Sequence, residues 1–330
     1  MKIKFLIIRF SSIGDIVLTT PVIRCLNQQL VGAEVHFVTK KQFASVVSQN
    51  PYIHRVHLLE NSLNDLIKEL KEENFDYIID LHHNLRSAII KARLRILAFT
   101  FNKLNFQKWL IVAFKKNILP EKHIVDRYFN TITPFDVKND SRGLDFFIDQ
   151  KNEIDISSLP FNFHNGYVAL VIGAKHATKQ MPEDKLVQLC NGIEGPVILM
   201  GGPDDRTKAE RIIQLTEKTK IFNACGGFNI QQSASLLRQA RLVITNDTGL
   251  MHIAAAFKQK IISIWGNTIP QFGMYPYVPN QDYYIFEVNG LKCRPCSKLG
   301  FQKCPKKHFN CMNKQNVRGI IELTNKLLIN

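Results

Sequence analysis

Short apolar runs alternate along the chain with longer amphipathic stretches. In the first third, the runs "KFLIIRF", "EVHFVT", "RVHLL" and "YIIDLHH" are typical of strands, and the stretches between them repeat apolar positions with the period of a helix. The same rhythm returns in "YVALVIG", "PVILMGG", "IFNACG", "LVITND" and "IISIWG". Strands that alternate with helices predict parallel, doubly wound sheets in an α/β protein.

A polar stretch at about residues 137–165 separates the two halves of this pattern. A chain of 330 residues is also long for a single hydrophobic core. We therefore predict two Rossmann-like domains that face a central cleft, over residues 1–158 and 159–312. The amphipathic tail "NVRGIIELTNKLLIN" predicts a last helix within residues 313–330.

The composition is that of a soluble globular protein, with 45% hydrophobic and 22% charged residues. No window approaches the roughly 18 to 20 uninterrupted apolar residues that a membrane-spanning helix needs. The amino terminus superficially resembles a signal peptide, but Arg9 and Asp15 interrupt its apolar run and no cleavage pattern follows. We expect a first strand there and a cytoplasmic protein.

The net charge of +15 indicates an acidic partner or surface. It is concentrated in residues 85–120, which contain no Asp or Glu. Such a segment suits anionic lipid head groups or a lipid-linked acidic substrate; nucleic acid is a rival without a recognisable reader motif, and a solvated face without a partner is the third alternative. Its basic residues are Arg86, Lys91, Arg93, Arg95, Lys103, Lys108, Lys115 and Lys116, and they are interleaved with Leu94, Ile96, Leu97, Phe99, Phe101, Phe106, Trp109, Leu110 and Phe114.

Ligands of open parallel sheets bind beyond the carboxyl ends of the strands. Neither a G-x-G-x-x-G fingerprint nor a P-loop occurs at these ends, which argues against a dehydrogenase or an ATPase. The segments that follow predicted strands and carry candidate chemistry are Ser11–Asp15, Asp80–Arg86, Gly173–Lys179, Gly201–Asp205 and Asn246–His252.

The last of these segments has the features of an anion site at the start of a helix. Asp247 is a favoured N-cap, and Gly249 permits a close approach to the first helical turn. Free backbone N–H groups and the helix dipole bind phosphate there, and His252 lies one turn beyond Thr248. The alternative is an ordinary capped helix with an interfacial histidine.

Taken in order, the motifs resemble glycosyltransferase family 9, the lipopolysaccharide heptosyltransferases. The resemblance rests on "IIRFSSIGDIVLTTPVIRCL", "FDYIIDLHHNLRS", "GAKHATKQMP", "ILMGGPDD", "VITNDTGLMHIAAAF" and "IWGNTIPQFGMYPY". It implies a GT-B fold whose last helix crosses back to the first domain. It further implies inverting transfer of heptose from ADP-heptose to the acidic inner core of lipopolysaccharide, without a catalytic metal or cofactor, at the cytoplasmic face of the inner membrane.

The resemblance also assigns residues to the donor site. Thr248 and Gly249 offer helix-start donors to the diphosphate, and His252 supports the phosphate side. Asp247 addresses the sugar hydroxyls, while Lys179 stabilises the charge that develops on the leaving group.

Two donor-site assignments depend on spacing across a variable region. Asp205, or its neighbour Asp204, stands where the family has an acidic residue, and Phe228 falls near the adenine loop. Met181 stands where the family often has Trp, a conservative departure for packing.

Asp15 is the predicted catalytic base of the first domain. It follows the first strand, and an inverting transfer needs a carboxylate to take the proton of the acceptor hydroxyl. The alternative is that Asp15 merely caps the first helix. The acceptor-binding residues predicted beside it are Ser11, Ser12, Gly14, His83 and Arg86.

A cysteine cluster near the carboxyl terminus has the spacing of a tetrahedral zinc site. A C-x-x-C pair is followed by two further cysteines, with His308 as a further candidate ligand. A structural zinc ion is one reading, and free or redox-active thiols are the other. The four cysteines are Cys293, Cys296, Cys304 and Cys311; the isolated Cys25, Cys190 and Cys225 are predicted to be core residues.

Other functions remain as alternatives. A related GT-B transferase could use another nucleotide sugar or another envelope glycan, because hydroxyl geometry at the donor is not readable from one sequence. A GT-B epimerase or phosphorylase, and a nucleic-acid-binding protein with a zinc module, explain fewer of the ordered motifs.

Overall fold

The computed structural model describes residues 2–217 and 220–329 and divides them into two compact units. The first unit comprises the residues up to Leu104 together with Lys122–Phe147. The second comprises Asn105–Glu121 and the chain from Ile148 onward. The division thus falls after Phe147, where we expected it after residue 158, and a segment within the first predicted domain belongs to the second unit.

The first unit contains a five-stranded parallel sheet with the order β3-β2-β1-β4-β5. Its central strand is almost wholly apolar and its last four residues are fully buried, as the sequence pattern predicts. The strands are β1 (Ile3–Ile8), β2 (Ala33–Lys40), β3 (Arg55–Leu59), β4 (Tyr77–Asp80) and β5 (Ala98–Thr100).

The second unit contains a six-stranded sheet with the order β11-β10-β9-β6-β7-β8, in which every pair is parallel. The two parallel sheets confirm the predicted α/β class with two Rossmann-like units. The strands are β6 (Val168–Val171), β7 (Val197–Met200), β8 (Ile221–Asn223), β9 (Leu242–Asn246), β10 (Ile261–Trp265) and β11 (Tyr283–Glu287).

Helices connect most of these strands. Among the described residues none is long and apolar enough to cross a membrane. They are α1 (Ile13–Val17), α2 (Thr20–Gln29), α3 (Leu63–Glu72), α4 (Leu85–Leu94), α5 (Asn105–Phe114), α6 (Ile124–Phe129), α7 (Glu183–Gly192), α8 (Arg206–Leu215), α9 (Ile230–Gln239), α10 (Gly249–Ala256), α11 (Asn310–Asn313) and α12 (Val317–Ile329).

Helix α5 is the reason why Asn105–Glu121 groups with the second unit. The ammonium of Lys108 lies 6.0 Å from the centre of the Phe272 ring, and Lys115 Nζ donates to the carbonyl of Pro295 at 2.8 Å. The basic segment 85–120 is therefore not one continuous surface of one domain, because it is divided between α4 and β5 of the first unit and α5 of the second.

The last helix also lies elsewhere than expected. Helix α12 packs on α7 and β9, and its Val317 and Ile320 are buried in the hydrophobic core of the second unit. We expected this helix to cross back to the first domain. Its apolar face is instead covered by the unit that immediately precedes it in sequence.

Candidate active site

The turn after β1 places Asp15 at the third position of α1. Ser12 is the N-cap of this helix, and its Oγ donates to Asp15 Oδ2 at 2.7 Å while its backbone N–H donates to the same oxygen at 3.2 Å. This is the side-chain half of a capping box. The capping role that we considered as the alternative for Asp15 is therefore present, whatever further role the carboxylate has.

Asp15 also forms an ion pair with a buried arginine that sequence reasoning did not single out. Arg9 Nη2 lies 2.5 Å from Asp15 Oδ1, and the Arg9 side chain is only 9% exposed. Its other donors reach the carbonyls of Ser11 and Leu81 and the hydroxyl of Tyr128. Because Arg9 has four such partners, counting Asp15 itself, its guanidinium is fixed and in turn fixes the position of the Asp15 carboxylate.

A second turn, after β4, lies next to the first because β1 and β4 are neighbouring parallel strands. Asp80 is fully buried; its Oδ1 accepts the backbone N–H groups of His82 (3.0 Å) and His83 (2.7 Å), and its Oδ2 lies 2.9 Å from Lys91 Nζ. Burial alone would raise the pKa of Asp80, but the His83 N–H and Lys91 outweigh it and lower the pKa. Asp80 thus organises the turn as an ionised carboxylate.

The predicted acceptor residues lie on these two turns. Ser11, Ser12 and Gly14 surround the start of α1, and Arg9 links them to the end of β4 through the Leu81 carbonyl. His83 is exposed on the turn after β4, and Arg86 is exposed in the first turn of α4. The fold brings both groups to one edge of the first sheet; their contact with an acceptor stays a prediction.

In the second unit, three strand ends converge on the carboxylate of Asp247. Lys179 Nζ lies 2.6 Å from Asp247 Oδ2, and the Thr268 hydroxyl donates to the same oxygen at 2.9 Å. These residues follow β6, β9 and β10, which are adjacent in the sheet. The arrangement places an ammonium group beside the start of α10, with side-chain exposures of 17% for Lys179 and 11% for Asp247.

The N-cap of α10 is Thr248, which corrects our assignment of Asp247 to that position. Thr248 has extended backbone angles, and the helix begins at Gly249. Asp247 instead directs its carboxylate toward Lys179 and Thr268. The backbone N–H groups of the first helical turn, from Gly249 onward, begin at this cluster, so the turn combines a helix N-terminus with an ammonium group.

His252, in the same helix, is only 2% exposed. It is therefore a buried part of the α10 packing, as in the interfacial alternative, and its support of a phosphate stays a prediction.

Asp205 lies against the glycines that end two neighbouring strands. A Cβ added to Gly173 would meet Asp205 Oδ2 at 2.0 Å, and one added to Gly201 would meet it at 2.7 Å. The carboxylate accepts the Gly202 N–H at 2.9 Å, and burial raises its pKa. The glycines of "VIG" and "MGG" are thus needed to bring an acidic side chain to the ends of β6 and β7, whereas Asp204 is exposed.

Phe228 stands on the loop after β8, half-buried, with its ring centroid 6.4 Å from that of Phe222. This loop touches the Asp205 turn, since the Gly226 N–H donates to the Gly201 carbonyl at 3.3 Å. The structure therefore gathers Asp205 and the Phe228 loop in one region, and their roles toward a nucleotide stay predictions.

Sequence reasoning missed the residues after β10. Asn267 is 2% exposed, and neither polar atom of its side chain has a hydrogen-bond partner within the described part of the chain. Arg294 holds the same loop by donating to the carbonyls of Gly266 (2.6 Å) and Thr268 (2.9 Å). A buried amide without partners is costly, so the fold keeps the Asn267 side chain in this loop against an energetic penalty. The motif "IWGNTIPQFGMYPY" was the only signal for it.

The cysteines near the carboxyl terminus are close enough to affect one another. Burial and neighbouring thiols raise the pKa of Cys296 to about 11 and that of Cys311 to about 12. Cys293 Sγ lies 3.8 Å from His308 Nε2. In residues 2–217 and 220–329 the sets of three side chains whose ligand atoms lie within 4.8 Å of one another do not include these cysteines, and a structural zinc ion at the cysteines stays a prediction.

The remaining three cysteines, Cys25, Cys190 and Cys225, are buried, as predicted for core residues.

Two parallel sheets with charged groups and a helix N-terminus at their carboxyl strand ends define an α/β protein of the class that binds ligands at these ends. The sequence profile of glycosyltransferase family 9 (heptosyltransferase) matches residues 63–302, and the chain belongs to this family. It is therefore a glycosyltransferase by family.

Curated relatives are similar over most of their length. The chain is 25% identical over 328 residues to lipooligosaccharide heptosyltransferase 2 of Campylobacter jejuni, covering 96% of each chain. It is 24% identical over 288 residues to lipopolysaccharide heptosyltransferase 1 of Campylobacter coli, covering 80% of this chain and 84% of the relative.

Solved structures share the fold. The E. coli ADP-heptose LPS heptosyltransferase II superposes with a TM-score of 0.75 at 17% identity over 99% of each chain. The E. coli heptosyltransferase WaaC, solved with ADP, gives 0.70 at 20% identity over 98% of this chain and 100% of its own. The fold is therefore of the GT-B type, as the resemblance implied.

Proposed function

We propose that this protein transfers heptose from ADP-heptose to the inner core of lipopolysaccharide with inversion at the anomeric carbon. The observation that carries the proposal is the cluster of Lys179, Asp247 and Thr268 at the start of α10. Its support from relatives is that they are named lipopolysaccharide or lipooligosaccharide heptosyltransferases, and that WaaC was solved with ADP and with ADP-2-deoxy-2-fluoro heptose.

The donor diphosphate binds at the N-terminus of α10. An ammonium group has three protons. Lys179 directs one toward Asp247 Oδ2 at 2.6 Å and a second toward the Asp247 carbonyl at 3.4 Å, so the third is available to a phosphate oxygen. The Gly249 N–H and its neighbours add donors without a side chain in the way. Asp247 is then held by Lys179 and Thr268 in a position to accept hydroxyl groups of the sugar.

Asp15 acts as the general base in this proposal. As the acceptor oxygen forms its bond to the anomeric carbon, its proton passes to an Asp15 oxygen, and the bond from that carbon to the diphosphate breaks. Arg9 and Ser12 hold the carboxylate in its orientation. The electron pair leaves with ADP, whose added charge Lys179 and the helix N-terminus stabilise.

Catalysis in this scheme needs no metal ion or cofactor. The positive charge opposite the diphosphate comes from Lys179 and from the dipole of α10, which are both part of the chain. The Asp205 turn and the Phe228 loop, at the ends of β6, β7 and β8, are proposed to accommodate the nucleoside.

Contact with the cytoplasmic face of the inner membrane is proposed for α5. Phe106, Trp109 and Phe114 are 63%, 52% and 65% exposed, and their rings form a chain with centroids 5.9 and 5.3 Å apart. Lys115 and Lys116 follow directly in sequence. An exposed aromatic cluster beside lysines matches the interface of an anionic bilayer that presents a lipid-linked acceptor.

The test is release of ADP from ADP-heptose by the full chain, with heptose-free lipopolysaccharide core and without acceptor. Acceptor-dependent release, with a heptosylated product of inverted configuration by NMR, is expected. Donor binding without release on this core would reject the acceptor. Absence of ADP-heptose binding by a folded protein would reject the donor and favour a family member that uses another nucleotide sugar.

A further inference from the structure

Three histidines and several carboxylates gather at the edge of the first sheet formed by β2 and β3. Glu34 and His36 are two residues apart on β2 and so share a face of the sheet. His54 immediately precedes β3, where its backbone N–H donates to the Val35 carbonyl at 2.8 Å. His57 lies further along β3, and α3 covers this face with Glu69 and Glu73.

A chain of hydrogen bonds fixes the tautomers of the two buried histidines. His57 Nδ1 lies 2.6 Å from Glu69 Oε1, so it carries a proton and donates to that carboxylate. His57 Nε2 is then a lone pair that accepts from His36 Nδ1 at 2.9 Å. It follows that His36 Nε2 carries a lone pair and no proton.

This lone pair is buried and unused. His36 is 1% exposed, and its Nε2 has no hydrogen-bond partner in the described residues. Histidine binds metal ions through such a lone pair while its other ring nitrogen donates a hydrogen bond, as His36 Nδ1 does here to His57, which donates in turn to Glu69.

We propose that Glu34, His36 and His54 bind a divalent transition-metal ion of the zinc type. One ligand atom from each of these side chains lies within 4.8 Å of the other two, so the three side chains are within reach of one ion. Two imidazoles and a carboxylate form a ligand set that suits Zn²⁺, and solvent supplies the fourth position. The His57–Glu69 pair supports the set from behind as a positioning relay.

A second set, His36, His57 and Glu73, has equally short spacing but is less available. Arg55 Nη1 lies 2.5 Å from Glu73 Oε1, and Lys4 Nζ lies 3.4 Å from Glu73 Oε2. His57 Nε2 is also occupied by the bond from His36. By contrast, the partner of Glu34 is Lys2, whose side chain is 75% exposed and easily displaced.

The proposed ion would be structural and not catalytic. Glu34 lies near the amino end of β2 and His54 just before β3, whereas Ser11–Asp15 follow the carboxyl end of β1. Because the strands are parallel, the proposed metal site lies at the amino ends of the strands and the Ser11–Asp15 turn lies at their carboxyl ends. An ion at this edge would clamp the start of β2 to the start of β3, the edge strand.

The experiment is a cobalt titration of the metal-free full chain after removal of any affinity tag, followed by competition with Zn²⁺. We expect one equivalent of Co²⁺ with visible d–d bands and without thiolate-to-cobalt charge transfer. His54→Ala and Glu34→Ala should each weaken binding at least about tenfold, and Glu69→Ala, which removes no ligand, should weaken it about 10- to 100-fold.

The controls separate this site from the cysteines and from surface histidines. The double variant Cys293→Ser/Cys296→Ser and the variant His164→Ala should retain the imidazole-bound cobalt. Circular dichroism and the urea midpoint of each metal-free variant establish that it folds. Absence of bound cobalt, binding unchanged by His54→Ala, or a thiolate band that disappears with all binding in the cysteine variant would each overturn the proposal.

Discussion

Each unit has an aspartate near the start of a helix that follows a strand. The residues that hold the two carboxylates come from different distances along the chain. Asp15 is fixed by Arg9 and Ser12, which are six and three residues away and belong to the same strand–turn–helix segment. Asp247 is fixed by Lys179 and Thr268, which are 68 and 21 residues away. One site is local in sequence, and the other is assembled by the sheet.

This difference in the origin of the contacts suits the two sites to different chemical tasks. The Asp15 carboxylate has local partners, and its partner Arg9 is anchored in turn by the Leu81 carbonyl and the Tyr128 hydroxyl. Such a carboxylate keeps one fixed position, as a base with a single task requires. The Asp247 cluster instead combines an ammonium, a carboxylate, a hydroxyl and helix-start donors from three strand ends, which suits a ligand with several kinds of polar group.

The largest expected effect comes from neutralising the local site. Asp15→Asn should lower kcat about 100- to 10,000-fold with donor affinity nearly unchanged, because the base is lost while the second unit is untouched. Turnover and ADP affinity are measured together. Asp65→Asn is the matched control, since Asp65 occupies the third position of α3 behind the N-cap Ser62.

If Asp15→Asn and Asp65→Asn lose comparable stability and both stay active, Asp15 only caps its helix.

Removing the cation of the assembled site should have the next largest effect. Lys179→Met should reduce kcat/KM about 100- to 1,000-fold, because the leaving diphosphate loses a preorganised positive charge. Unlike Asp15→Asn, it should also weaken ADP binding, which calorimetry measures. Lys185→Met, on α7, is the control; equal ADP affinity in both variants would remove Lys179 from the donor site.

Acid should distinguish the two units by stability. Burial lowers the pKa of His36 and of His82 from 6.5 to about 4, and both belong to the first unit. The unfolded chain takes up these protons below pH 6.5 and the folded chain only near pH 4, so the free energy of unfolding is highest above pH 6.5. It falls between pH 6.5 and 4, by at most about 1.4 kcal/mol per pH unit for each group.

Both tryptophans of the chain, Trp109 and Trp265, lie in the second unit and report its unfolding alone. In urea with a chelator, the midpoint from circular dichroism should therefore decrease relative to the tryptophan midpoint on going from pH 7.5 to pH 5. His82→Phe should reduce this separation. His176 of the second unit also has a pKa lowered by burial, so the prediction is that the first unit loses more stability in acid, and midpoints that move together would contradict it.

The smallest effect is expected from a single neutral hydrogen bond of the assembled site. Thr268→Val removes the donor to Asp247 Oδ2 and should cost about 1 kcal/mol of donor binding, or roughly fivefold in KM. Thr324→Val removes a comparably buried hydroxyl, which bonds to the Ile320 carbonyl within α12, and should affect stability only. A KM that changes equally in both variants would indicate a general loss of packing.

The same contrast explains how far the sequence could predict the structure. Strand–helix alternation predicted both sheets because buried parallel strands are continuous apolar runs. It missed β5, which lies within the basic segment, and β11, an edge strand whose residues are only partly buried.

Among the site residues, the capping of α1 by Asp15 follows from local chemistry and was foreseen. Lys179 and Asp247 were both predicted as site residues, but their ion pair was not. The pair depends on β6 and β9 being neighbours in the sheet, and the sequence of a single segment does not reveal the strand order. Thr268 and Asn267 carry no distinctive local signal; only their place after β10 makes them part of the site.

The position of α5 has a consequence for synthesis on the ribosome. Its partner residues, Phe272, Pro295 and Lys298, follow it by more than 150 residues. At a synthesis rate of about 5 to 20 residues per second, these partners emerge roughly 10 to 40 seconds after the helix. During that interval two apolar surfaces of α5 are exposed to solvent: the side that later docks, and the aromatic cluster of Phe106, Trp109 and Phe114. The nascent chain therefore presents an aggregation-prone segment that a chaperone would have to cover.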